Sequence, residues 1–130
     1  MICSTRGKVK NNHQLIAKAK FYKGFSDPAR LSILESLGGG ALTVSEIVKK
    51  TNLNQSNVSN HLVCLKDCSI VTCEQRGKYI YYELRDKRIK HFLEYPESNL
   101  SDILESVFKC TQAALKNEKS CGCQKGTKNE

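Results

Sequence analysis

The chain has 130 residues, a formal net charge of +8, and a composition of 39% hydrophobic and 26% charged residues. That is enough for one modest core in an ordinary water-compatible protein, and no apolar run approaches the roughly 20 residues that cross a bilayer. Seven cysteines, an odd number, exclude a complete disulfide framework and point to metal ligation or redox chemistry.

Residues 1–23 carry Arg6, Lys8, Lys10, Lys18, Lys20 and Lys23 and no acid. Such an excess suits a polyanionic partner, nucleic acid above all. The opening Met1-Ile2-Cys3-Ser4-Thr5-Arg6 leads into no apolar stretch or small-residue cleavage site. No secretory signal is read, and a cytoplasmic location without a membrane partner is the expectation. Residues 1–10 lack periodicity and read as a flexible basic arm, residues 11–117 as the folded domain, and residues 118–130 as a flexible tail containing Cys121 and Cys123.

Leu15, Ile16, Ala19 and the pair Phe21-Tyr22 predict a first helix from about Asn11 to Lys23. Asp27 and Pro28 then suit the cap and first turn of a second helix, whose apolar Leu31, Ile33, Leu34 and Leu37 stop at Gly38-Gly39-Gly40. Thr43-Val44-Ser45-Glu46 has the form of a capping box, in which each side chain satisfies the other's exposed backbone donor, and it opens a short third helix to about Lys50. After Thr51-Asn52-Leu53 a fourth helix starts near Asn54 and turns Val58, Leu62 and Leu65 toward the core. Two short helices joined by a tight turn form a helix-turn-helix pattern. Residues 70–73 and 79–84 predict two strands around a turn at Gln75-Arg76-Gly77-Lys78. A further helix is expected from Asp86 to Tyr95, stopped by Pro96. The last, from about Asn99 to Asn117, carries Leu100, Ile103, Leu104, Val107, Phe108 and Leu115 on one side.

The polar side of the fourth helix presents Gln55, Ser56, Asn57, Ser59, Asn60 and His61. Amide side chains can make paired hydrogen bonds to adenine, and serines can reach bases or phosphates, so this is a candidate major-groove face. Taken alone, it could equally be a solvated helix surface. The strand pair that follows, with Arg76 and Lys78 at its tip, completes the layout of a winged helix, where the hairpin sits on phosphates and the helix reads bases. The expected fold is therefore mainly α with a β-hairpin wing.

Phe25-Ser26-Asp27-Pro28-Ala29-Arg30-Leu31-Ser32-Ile33-Leu34 and Asn54-Gln55-Ser56-Asn57-Val58-Ser59-Asn60-His61-Leu62 resemble the second-helix and recognition-helix signatures of the ArsR/SmtB family of metal-responsive repressors. The resemblance spans about Leu15 to Leu84. It implies a homodimer, paired through its first and C-terminal helices, that represses a promoter in the metal-free state by binding double-stranded operator DNA.

Cys64 and Cys68 are four residues apart on the fourth helix, so their Cβ atoms share one face at roughly 6 Å and two thiolates there could share one ion. They lie beside the Val58-Leu62-Leu65 stripe, at the core's margin; the plain alternative is that they are small buried hydrophobes. The run Asn60-His61-Leu62-Val63-Cys64-Leu65-Lys66-Asp67-Cys68 resembles the CmtR-type branch of the family, whose cadmium and lead sensors add a C-terminal cysteine to two on the recognition helix. Cys110, followed by Thr111, is the first choice for that third ligand, with Cys121 and Cys123 as alternatives, and the resemblance implies that it comes from the partner subunit. Thr43-Val44-Ser45 stands where other members carry a Cys-Val-Cys box. Asp86 and His91 are present, but Arg88 replaces a histidine expected in the C-terminal zinc site.

Thiolates favour soft ions, so Cd(II) or Pb(II) is the expected effector, with arsenite or mercury able to use the same sulfurs. A thiol redox switch is the rival within regulation. Cys73 reads as core packing and Cys3 as a weak ligand candidate. No Cys-x-x-Cys beside a βαβ pattern, phosphate loop or nucleophile-base arrangement supports an enzyme.

Overall fold

The computed structural model describes residues 11–117. The described residues divide into two compact units, the division falling between Lys90 and His91.

In the first unit the helices begin where side chains can satisfy exposed backbone donors. Helix α1 (Asn12–Lys23) is capped by Asn11, whose side chain accepts from the Gln14 N–H while Gln14 reaches back to the Asn11 N–H. Helix α2 (Pro28–Ser36) is capped by Asp27, with Pro28 at its first position, and runs into a 3-10 turn at Leu37–Gly39. Thr43 and Glu46 form the expected capping box of α3 (Val44–Thr51). Asn52, in the left-handed conformation at φ 61°, ends that helix, and Asn54 caps α4 (Gln55–Asp67).

The sheet has three strands rather than the expected two. Strand β1 (Leu42–Thr43) pairs with β3 (Tyr79–Leu84), which also pairs with β2 (Val71–Arg76), giving the order β1-β3-β2, all antiparallel. A two-residue strand has no periodicity of its own, and only its partner defines it. The hairpin turn is tighter than expected: Arg76 is still paired with Tyr79, leaving Gly77 and Lys78 as the loop. Gly77 has φ +64° at the first loop position, the backbone that a two-residue hairpin with glycine there requires.

Ile33 and Leu34 from α2, Leu37, Ile47 from α3, Val58, Leu62 and Leu65 from α4, and Ile70 and Val71 where β2 begins are fully or almost fully buried. Burying each such side chain contributes about 1.5–3 kcal/mol, and together they clamp the helix-turn-helix onto the base of the hairpin. Gly24 makes its own close approach, since a Cβ there would run into the Ile70 side chain.

Helix α5 (Lys87–Asn99) runs through Pro96 instead of stopping there. Proline's fixed φ is itself compatible with a helix, and at the last turn it removes only one ladder bond. The break comes at Leu100, whose N–H still bonds to the Pro96 carbonyl at 2.9 Å, before α6 (Ser101–Asn117).

Among the described residues, α1 and α6 leave most of their large apolar side chains exposed. Leu15 and Ile16 are 52% and 57% exposed, and Ile103, Val107 and Phe108 are likewise open to solvent.

Candidate nucleic-acid interface and thiol site

Helix α4 has two working sides. Its buried stripe fixes its roll, and that roll leaves Gln55, Ser56, Asn57 and Asn60 exposed and Ser59 half-buried. Val63, 62% exposed, continues this outer face at i+7 from Ser56 and i+3 from Asn60. Sequence reading passed over Val63 because it is apolar, yet its spacing was the signal, and a methyl group on such a face suits contact with thymine. His61 is turned away from most of these residues: its side chain is 24% exposed and its Nε2 stands 3.9 Å from the Asp27 carboxylate that caps α2.

At the wing, Lys78 is exposed in the turn. Arg76 lies at the end of β2, with its guanidinium 4.9 Å from the Tyr81 ring centre and an Nη2 donating to the Glu74 carboxylate at 3.2 Å. Both cations face solvent, but part of the charge on Arg76 is already answered within the strand.

A half-buried flank of α4 carries Cys64 and Cys68, in line with Asn57 and His61 and beside the buried stripe. Cys68 is not inside the helix but caps its C-terminus, its N–H bonding to the Cys64 carbonyl at 3.0 Å. The helix then closes in a Schellman turn: Ser69 takes φ 63° and bonds back to Lys66, and Ile70 bonds back to Leu65 while both of those apolar side chains stay buried. That turn holds the two half-buried thiols within hydrogen-bonding reach of each other. Partial burial pushes the Cys68 thiol pKa up and the neighbouring Cys64 pushes the same way, while Lys20 and Arg30 pull it back. Arg30 donates from Nη2 to the Lys23 carbonyl at 2.9 Å.

Cys110 is half-buried in the second unit. Cys3, Cys121 and Cys123 lie outside the described residues. Among the described residues no group of three His, Cys, Asp or Glu side chains is placed to hold an ion together, so Cys64 and Cys68 have no third ligand beside them there. Cys73, read as core packing, is half-buried and lies near Lys66, whose pKa it raises. Asp86 is engaged by Arg88, which donates to it from its backbone N–H, Nε and Nη2 at 2.9–3.0 Å and holds its carboxyl well below the usual range. No helix among the described residues is long and apolar enough to cross a membrane.

A polar-faced helix after a tight turn, backed by a core and followed by a basic antiparallel hairpin, defines a winged helix-turn-helix DNA-binding domain. Residues 27–72 match the family described as bacterial regulatory protein, arsR family. The chain is 35% identical over 101 residues to the arsenical resistance operon repressor of Staphylococcus xylosus, covering 78% of this chain and 90% of that one. It is 31% identical over 94 residues to a probable mercury resistance operon repressor of Streptomyces lividans, covering 72% and 75%. It is 34% identical over 77 residues to the regulator CmtR of Mycobacterium bovis, covering 59% and 65%. Among solved structures, it resembles the homodimeric winged helix-turn-helix domain Mb0332 of Mycobacterium bovis, with a TM-score of 0.65, 24% identity and coverage of 78% and 94%. The chain belongs to the arsR family and is a DNA-binding transcriptional regulator, not an enzyme.

Proposed function

We propose that this arsR-family transcriptional repressor acts as a homodimer that holds operator DNA when metal-free and releases it when a thiophilic ion binds Cys64 and Cys68. Cadmium and lead are the first choices, on the softness of sulfur ligands and the likeness to CmtR. The observation that carries the reading is that two neighbouring half-buried thiols lie on a flank of the same helix whose exposed face presents Gln55, Ser56, Asn57, Asn60 and Val63 beside half-buried Ser59. Lys78 and Arg76 supply the phosphate contacts of the wing. His61, beside Asp27 on the flank that also carries the thiols, lies at the edge of that face.

The donor set fits a soft ion: two sulfurs, partly shielded from water, that can be deprotonated on binding. Cys110 is the preferred further ligand, with Cys121 and Cys123 as alternatives. The exposed apolar residues of α1 and α6 are suited to pairing with a second copy.

An ion bound on this flank of α4 and DNA bound on its exposed face are negatively linked, with a coupling of about 1–3 kcal/mol and a 5–150-fold loss of DNA affinity. The test is a mobility shift on the chain's own upstream DNA, titrated with cadmium, lead, zinc and arsenite under excess reductant. Cys64→Ser and Cys68→Ser should keep operator binding and lose the response. Full metal-driven release in both variants would refute the site. The same close thiols also suit a redox switch by disulfide formation, and release by cadmium in excess reductant excludes that account.

A further inference from the structure

In the ladder of the wing Arg76 stands opposite Tyr79 and Glu74 opposite Tyr81, so these four side chains share one face of the hairpin. The other face runs through Cys73 and Tyr82 to buried Val71 and half-buried Leu84, which leaves the first toward solvent. From its place beside the turn, Arg76 reaches back rather than outward. Its guanidinium lies 4.9 Å from the ring centre of Tyr81, two positions nearer the core than its own partner, and its Nη2 donates to the Glu74 carboxylate at 3.2 Å. The turn beyond is braced by the Gln75 side chain, which donates to the Gly77 carbonyl at 3.2 Å, and it leaves Lys78 exposed. Glu74 is exposed too, so its charge is set against any phosphate that the hairpin meets, and attraction alone gives no reason for an acid there.

We propose that Glu74 and Tyr81 are positioning residues that fix the direction of Arg76 and so make the wing a selector for operator DNA held in register. The assignment rests on Arg76 meeting phosphates as proposed for the wing. A guanidinium is a planar fork of five N–H donors, and the bond to Glu74 uses one of them. The Tyr81 ring against it and the carboxylate beside it set the plane in which the others point. A phosphate brought to the hairpin's solvent face by α4 docking in the major groove meets donors already aimed, so little side-chain freedom is lost in binding them. Duplex held loosely by charge meets the hairpin at varied heights and angles. It finds Lys78 as a free cation, but an Arg76 whose charge is offset by Glu74. Glu74 thus weakens loose binding while the oriented fork strengthens binding in register, and the ratio of the two affinities is the specificity.

The test uses the full, reduced, metal-free chain and fluorescence anisotropy over a range of salt. Its probes are the operator that wild-type chain selects from a random-sequence pool and an unselected duplex of equal length. Glu74→Gln keeps the size of the side chain and removes its charge. It should raise affinity for the unselected duplex about threefold, the scale of one exposed ion pair, and steepen the salt dependence there by up to about one released counterion. Operator affinity should not rise, so the ratio of the two affinities falls about threefold or more. Removal of charge alone would raise both affinities equally, and loss of fold would lower both; an unchanged ratio in either case overturns the role of Glu74. Tyr81→Phe keeps the ring and should keep the wild-type ratio, while Tyr81→Leu should lower it about as far as Glu74→Gln does. Equal ratios in those two variants overturn the role of the ring. With the fork removed by Arg76→Gln, adding Glu74→Gln should change the ratio by less than about 1.5-fold, and a further threefold fall would show that Glu74 acts without Arg76, against the proposal. If Arg76→Gln binds operator as tightly as wild type with the same salt slope, the wing's phosphate contact itself fails, and the selection with it.

Discussion

The Cys68 thiol holds its proton more tightly than an unperturbed cysteine, first because it is partly buried and next because Cys64 stands beside it. Cadmium must displace thiol protons to bind, so its apparent affinity rises with pH by about tenfold per unit for each proton released. The raised pKa carries that rise to higher pH than a free thiol would show. Arsenous acid releases water rather than protons, and its affinity should be nearly flat over the same range. Chelator-competition titrations at several pH values check both slopes; a flat cadmium affinity would contradict ligation by protonated thiols. His61 shows how spacing refines a reading from chemical type: at i−3 from Cys64 and i−7 from Cys68 it shares their half-buried flank, and its Nε2 stands 3.9 Å from Asp27.

At the scale of elements, helix starts were legible because their causes are local: Asp27, Thr43 and Asn54 each bond a backbone N–H three residues on. The buried stripe of α4 was legible for the same kind of reason, through its spacing. What escaped was set from elsewhere in the chain. Strand β1 exists through its pairing with Tyr81 and Tyr82, and α5 passes Pro96 because one lost rung in its last turn does not outweigh the rest of the helix. The end of α4 escaped because no glycine marks it: Ser69 takes the left-handed conformation, where a Cβ is unfavourable, to complete the Schellman turn. Ser69→Gly should therefore raise stability by about 0.5–1 kcal/mol, a gain limited by the greater freedom of glycine in the unfolded chain. Urea denaturation measures it, and a lower midpoint with unchanged slope would show that the serine hydroxyl matters more than its backbone.

For the whole molecule, the exposed apolar residues of α1 and α6 are the surface on which the proposed dimer depends. Phe108, 59% exposed, stands with Leu104 and Val107 along a groove on α6 that Glu97 and Glu105 also line. If a second copy covers it, Phe108→Glu places an unpaired charge in the contact and should give a monomer by sedimentation, with operator affinity weakened at least tenfold. A dimer of unchanged strength would remove that surface from the assembly. The order β1-β3-β2 has a separate consequence. Strand β2 is left with one flank of amide and carbonyl groups unmatched by any neighbour in the sheet, an invitation for foreign chains to add on. Glu74 and Arg76, an exposed ion pair on that strand's far half, place charge beside the open edge, and charge there opposes such addition.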